Sequence, residues 1–110
     1  MAKFEEVTKD NFEGLFEEGK ITLIDIYAEW CGPCKMLKPV LQEVGDEKES
    51  VAILAKYDAD EDVLDLTNKY SVRNLPTVLF FDHNKQCIDR LVGGLPKMKY
   101  LEKIDELLNR

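Results

Sequence analysis

At 110 residues the chain has the length of one domain, and with 45% hydrophobic and 34% charged residues it has the balance of a globular protein that buries a core without staples. Its 15 basic and 22 acidic residues leave a formal net charge of −7, which argues against nucleic-acid and anionic-membrane partners. No apolar run approaches the roughly 20 residues of a membrane helix, and three cysteines are too few and too unevenly spaced for a disulfide scaffold.

The first residues, Met1 to Glu6, carry no apolar leader, so a cytoplasmic protein is expected. Phe4 to Val7 reads as a short strand. Thr8 or Asp10 is suited to cap a helix with Phe12, Leu15 and Phe16 as its apolar stripe, and Gly19 suits its stop. Ile21 to Ala28 is apolar on both faces, the pattern of a central strand covered on two sides. Trp30-Cys31-Gly32-Pro33-Cys34-Lys35 follows, and then a helical stripe of Leu37, Val40, Leu41 and Val44. Pro39 falls inside that helix and predicts a kink.

Val51 to Tyr57 reads as the next strand, followed by the acidic loop Asp58-Ala59-Asp60-Glu61-Asp62. Val63, Leu66, Thr67 and Tyr70 share a helical face. Thr77 to Phe81 is a strand, Asp82 to Lys85 a turn, and Cys87 to Val92 a hairpin partner. A last helix from about Pro96 presents Met98, Leu101, Ile104 and Leu108. Strands alternating with helices, then a hairpin and a helix, predict an α/β fold: one domain over residues 1–110, with helices on both faces of a mixed sheet.

Chemistry concentrates where the apolar strand meets the cysteine pair. Cys31 and Cys34 are spaced so that both sulfurs reach disulfide distance within one helical turn. Pro33 fits the first turn of a helix, where its missing N–H is not needed. Cys31 then stands at the exposed helix tip, where unpaired N–H groups and the macrodipole favour a thiolate. Cys34 lies one turn in and is more buried. The implied chemistry is thiol–disulfide exchange, with Cys31 as attacker and Cys34 as resolving thiol. Two other readings of the pair are a structural disulfide and a zinc site. Zinc would need four ligands, and beyond the pair only His83, in a distal turn, and Cys87 are on offer. Lys35 rules out haem attachment, and no metal site is expected.

The segment Asp25-Ile26-Tyr27-Ala28-Glu29-Trp30-Cys31-Gly32-Pro33-Cys34-Lys35 closely resembles the active-site stretch of the thioredoxin family. Val72-Arg73-Asn74-Leu75-Pro76-Thr77 is similar to the family's second signature, and Val92-Gly93-Gly94 to its third. The resemblance runs over nearly the whole chain. It implies a thioredoxin fold with four helices around five strands, and a monomeric protein-disulfide reductase with no bound cofactor. Its implied electron donor is a flavin-dependent thioredoxin reductase drawing on NADPH, and its implied substrates are disulfide-containing proteins.

The resemblance also bears on single residues. Asp25, a carboxylate in an apolar strand, reads either as a hydrogen-bonded core group or as a proton relay for Cys34, and the family assigns it the relay. Lys56 matches the family's lysine near this carboxylate. Pro76 is implied to be cis, with the backbone of Leu75 pairing with an extended substrate segment. Leu75 stands where isoleucine or threonine is more usual. Trp30, Gly32, Pro33, Leu75, Pro76 and Gly93 are implied to form an apolar platform around Cys31, with Asp60 accepting the Trp30 indole N–H; core packing is the other reading of Trp30. Cys87 departs from the family pattern and reads either as a small strand hydrophobe or as a regulatory thiol. An oxidant or isomerase on the same fold, and a binding subunit whose cysteine pair is incidental, are the competing functions. Gly32-Pro33 resembles the reducing branch.

Overall fold

The seven residues of β2 (Ile21–Tyr27) are all buried, which places this strand at the centre of the sheet. The computed structural model describes residues 1–110. The other strands are β1 (Phe4–Glu6), β3 (Ala52–Asp58), β4 (Thr77–Phe81) and β5 (Cys87–Val92), and the sheet order is β1-β3-β2-β4-β5. β1 and β2 flank β3 in parallel, whereas β4 runs antiparallel to β2 and β5 antiparallel to β4. The parallel pair needs a crossover, supplied by α1 (Gly32–Glu47). α2 (Leu66–Lys69) precedes β4, and α3 (Lys97–Leu108) closes the chain.

Side chains of a strand alternate between faces, and β2 serves two cores in this way. Ile21 and Leu23 pack with Leu54, Val78 and Phe80 beneath Leu37, Leu41 and Val44 of α1 and Tyr100 and Ile104 of α3. Ile24 and Ile26 pack with Tyr57, Leu79 and Phe81 beneath Leu66 of α2 on the other face. Asp25 belongs to the α1 and α3 face by the same alternation. α1 runs unbroken through Pro39.

The expectation of four helices is corrected to three, because the segment after β1 forms only a 3-10 turn at Phe12–Gly14. Asn11 is committed to other bonds: its N–H donates to Thr8 Oγ1 at 3.1 Å, and its side chain donates to the Glu6 carbonyl at 2.8 Å. Gly14 further weakens a stretch too short to carry the cost of helix nucleation. Phe12, Leu15 and Phe16 still pack against the second core. The helical face expected around Val63 to Tyr70 likewise shrinks to the four residues of α2. Asp62, Asp65 and Ser71 take positive φ on either side of it. The Tyr57 hydroxyl holds the loop, donating to Asp62 Oδ1 at 2.5 Å and accepting from the Leu64 N–H at 2.9 Å.

Candidate active site

β2 ends at Tyr27, and the chain turns through Ala28, Glu29 and Trp30 into α1. The Cys31 N–H donates to the Ala28 carbonyl at 3.1 Å and closes this turn. Cys31 is the N-cap of α1, in extended conformation, and its Sγ accepts the Cys34 N–H at 3.2 Å. A side chain that accepts an orphan N–H at a helix start does what a capping serine or aspartate does. Cys31 and Cys34 are joined by a disulfide with a Cα–Cα separation of 5.3 Å.

The expected contrast in exposure between the two cysteines is corrected: Cys31 is 5% exposed and Cys34 1%. Tyr27, Ala28 and Leu75 cover the pair, and the bridge folds Sγ back over the first helical turn. Gly32 and Pro33, beside Cys31, are exposed.

Asp25 has no exposed surface, and neither carboxylate oxygen has a hydrogen-bond partner. Burial raises its pKa to about 7, against the opposing pull of Lys38 and Lys56 and with a smaller push from Glu6. Lys56 lies directly opposite Asp25 in the β2–β3 register and is half-buried. Lys38 lies outside the residues to which the sequence motifs point, although its position four residues after Cys34, on the same helical face, is a local signal for it. Glu6 also lies outside those motifs. It accepts the Tyr27 hydroxyl at 2.6 Å and the Asp58 N–H at 3.0 Å, contacts between distant segments that no local spacing announces.

Trp30 is 70% exposed and its indole N–H donates to Asp60 Oδ2 at 2.9 Å, so the core-packing reading of this residue is set aside. Leu75 packs on the cluster that holds the cysteines. The Leu75–Pro76 bond is cis, the isomer the resemblance implies. Neither the N–H nor the carbonyl of Leu75 bonds within the chain. The Pro76 carbonyl accepts the Gly93 N–H at 2.8 Å, and a Cβ added to Gly94 would lie 3.9 Å from the Pro33 carbonyl. Those contacts draw the three sequence motifs to one end of the sheet. Trp30, Ala59, Val72, Arg73, Asn74 and Leu75 line a groove there.

Cys87 stands apart, paired with Phe81 where β4 begins its hairpin turn, at the far end of that strand from Thr77. It is half-buried against the second core, its Sγ lies 3.6 Å from the Asp89 carbonyl, and burial pushes its thiol up.

The thioredoxin family model matches residues 3–106. A thioredoxin of Chlorobaculum thiosulfatiphilum is 40% identical over 105 residues, covering 94% of this chain and 95% of its own length. A thioredoxin of Staphylococcus aureus is 39% identical over 102 residues, covering 93% and 95%. Among solved structures, the thioredoxin of Malassezia sympodialis aligns with a TM-score of 0.83 at 30% identity, over 98% of this chain and 93% of that one. A chloroplastic thioredoxin z aligns at 0.82 and 26% identity, over 100% and 98%.

Proposed function

The chain belongs to the thioredoxin family and is a thiol–disulfide oxidoreductase of protein substrates, and from that premise we propose that it works as a reductant fed by a flavin-dependent thioredoxin reductase and NADPH. The observation that carries this reading is the Cys31–Cys34 bridge at the start of α1, with Sγ of Cys31 already accepting a helix N–H. Donors of that kind stabilise a thiolate, which is both a nucleophile and a leaving group.

In the reduced protein the Cys31 thiolate attacks one sulfur of a target disulfide. That S–S bond breaks, a mixed disulfide forms, and the other target sulfur leaves as a thiolate and takes up a proton. Cys34 then loses its proton and attacks Cys31 Sγ. The mixed disulfide breaks, the second target thiolate leaves, and the Cys31–Cys34 disulfide forms. Two electrons have passed to the target.

Asp25 receives the Cys34 proton in this scheme. Its location on the face beneath α1, its lack of hydrogen-bond partners and its elevated pKa support the role, since a base tuned near neutrality exchanges protons readily. Lys56 is its partner across the strand pair. The platform of Trp30, Gly32, Pro33, Leu75, Pro76 and Gly93 receives the target, whose extended backbone pairs with the unbonded N–H and carbonyl of Leu75. Net reduction requires a continuous supply of electrons from a donor of lower potential, and a donor drawing on NADPH fits action in the cytoplasm by a single-domain monomer.

The test is NADPH consumption with thioredoxin reductase and a disulfide-bonded protein as target. Continuous turnover that stops on replacing either cysteine is expected. Target reduction by chemically reduced protein, with no NADPH consumption in the coupled assay, would remove the proposed donor and keep the exchange chemistry.

A further inference from the structure

Resting on the relay reading of Asp25, we propose that Lys38 is the positioning residue that governs when the buried carboxyl exchanges its proton. Its ammonium is held between α1 and the end of β2, beside the strand segment that carries Asp25.

Lys38 follows Cys34 by four residues in α1, so the two side chains lie on one helical face. Its Nζ sits 4.3 Å from the ring centroid of Tyr27, within the range of a favourable cation–π contact. Tyr27 and Asp25 are two residues apart in β2 and point to the same side. The Tyr27 ring is itself fixed by its hydroxyl bond to Glu6. A positive charge is thereby held beside the strand segment that carries Asp25.

Lys56 has the better register and the poorer aim. It is the Cα partner of Asp25, but its Nζ lies 5.5 Å from the Phe4 ring centroid, toward β1. Lys38 accordingly exerts the larger opposing influence on a carboxyl that burial drives upward. The titratable groups acting on Asp25 are Lys38 from α1, Lys56 from β3, Glu6 at the end of β1 and the Tyr100 phenol of α3. From β4 the facing residue is Val78, which does not titrate. No hydrogen bond holds the carboxylate. A cation that biases it without bonding leaves its proton free to move.

Removing a cation disfavours the carboxylate, so the proton should be released at higher pH. Asp25 is followed by carboxyl-carbon NMR across pH in the oxidised wild type and in Lys38→Gln, Lys38→Arg and Lys56→Gln. The same variants are compared for the pH dependence of mixed-disulfide resolution. Lys38→Gln should move the Asp25 midpoint up by about 0.5 pH unit or more, Lys56→Gln should move it less, and Lys38→Arg should stay near the wild type. A Lys38→Gln shift no larger than that of Lys56→Gln overturns the proposal. So does an equal shift in Lys38→Arg, which would show that packing and not charge is at work. If the midpoint moves and the resolution profile does not, control by Lys38 stands and the relay reading falls. Movement of both supports both.

Discussion

Asp25 and Lys56 face each other across the parallel β2–β3 pair, yet neither oxygen of the carboxylate accepts a hydrogen bond from the lysine or from any other group. A buried acid left in this state costs stability once it ionises. Its pKa of about 7 in the fold exceeds the ordinary aspartate value of 3.8, so well below pH 3.8 both folded and unfolded chains are protonated and no penalty exists. As pH rises through that value the unfolded chain ionises first. The folded state then loses stability until about pH 7, above which the penalty is constant. At 1.36 kcal/mol per pH unit, it is on the order of 4 kcal/mol.

Asp25→Ala should therefore be more stable than wild type at pH 8, with the advantage shrinking toward pH 4. Denaturant unfolding of the oxidised proteins at the two pH values checks this. A difference that does not vary with pH would exclude ionisation of Asp25 as its source. The same variant should slow resolution more than first attack.

Gly93 has φ of 93°, a region that L side chains rarely adopt, and a Cβ there would meet nothing within 4 Å. The cost of Gly93→Ala is thus backbone strain without a clash, about 1 kcal/mol or more. Any relaxation of that strain would displace the Gly93 N–H, which donates to the Pro76 carbonyl at 2.8 Å. A fall in Tm of roughly 4–8 °C per kcal/mol is expected, together with a higher KM for protein targets. Unchanged Tm and KM would show that the Gly93–Pro76 link tolerates the substitution.

The legible parts were those written locally. Doubly apolar Ile21 to Ala28 announced the central strand. Thr77–Phe81 and Cys87–Val92 were read with the bounds the structure has. The indole bond to Asp60 followed from family motifs. What escaped depends on distant segments or competing side-chain bonds. Lys38 acquires meaning only once α1 lies on β2, and Glu6 only once β1 has brought it to Tyr27. The first helix failed because Asn11 bonds to Thr8 and Glu6, a competition that apolar periodicity does not register. The near-complete burial of Cys31 comes from Tyr27 and Ala28 together with Leu75, a combination that spacing within one segment does not announce.

Cys87 is half-buried and packs on the second core, away from the cysteine bridge. Cys87→Ala should lose about 1 kcal/mol for the vacated volume and keep wild-type disulfide reduction. Raised by burial, the thiol should also react with alkylating reagents more slowly than a free cysteine at neutral pH. A folded variant with a large drop in exchange rate would point to a regulatory thiol.

The cysteine pair divides its labour by position: Cys31 caps α1, and Cys34 contributes the N–H that the Cys31 sulfur accepts, one turn further in and 1% exposed. Cys31 borders exposed Gly32 and Pro33, whereas Cys34 lies one turn deeper in α1. A target sulfur reaches Cys31 first. Cys31→Ser should abolish reduction, because no competent attacker remains. Cys34→Ser should still attack and fail to resolve, so mixed disulfides with target proteins should accumulate as adducts on a non-reducing gel that dissolve on adding dithiothreitol. Reversed behaviour of the two variants would reverse the assignment of nucleophile. Capture by neither, with both folded and Cys31 shown to be alkylated in Cys34→Ser, would place the chain's interactions outside disulfide exchange.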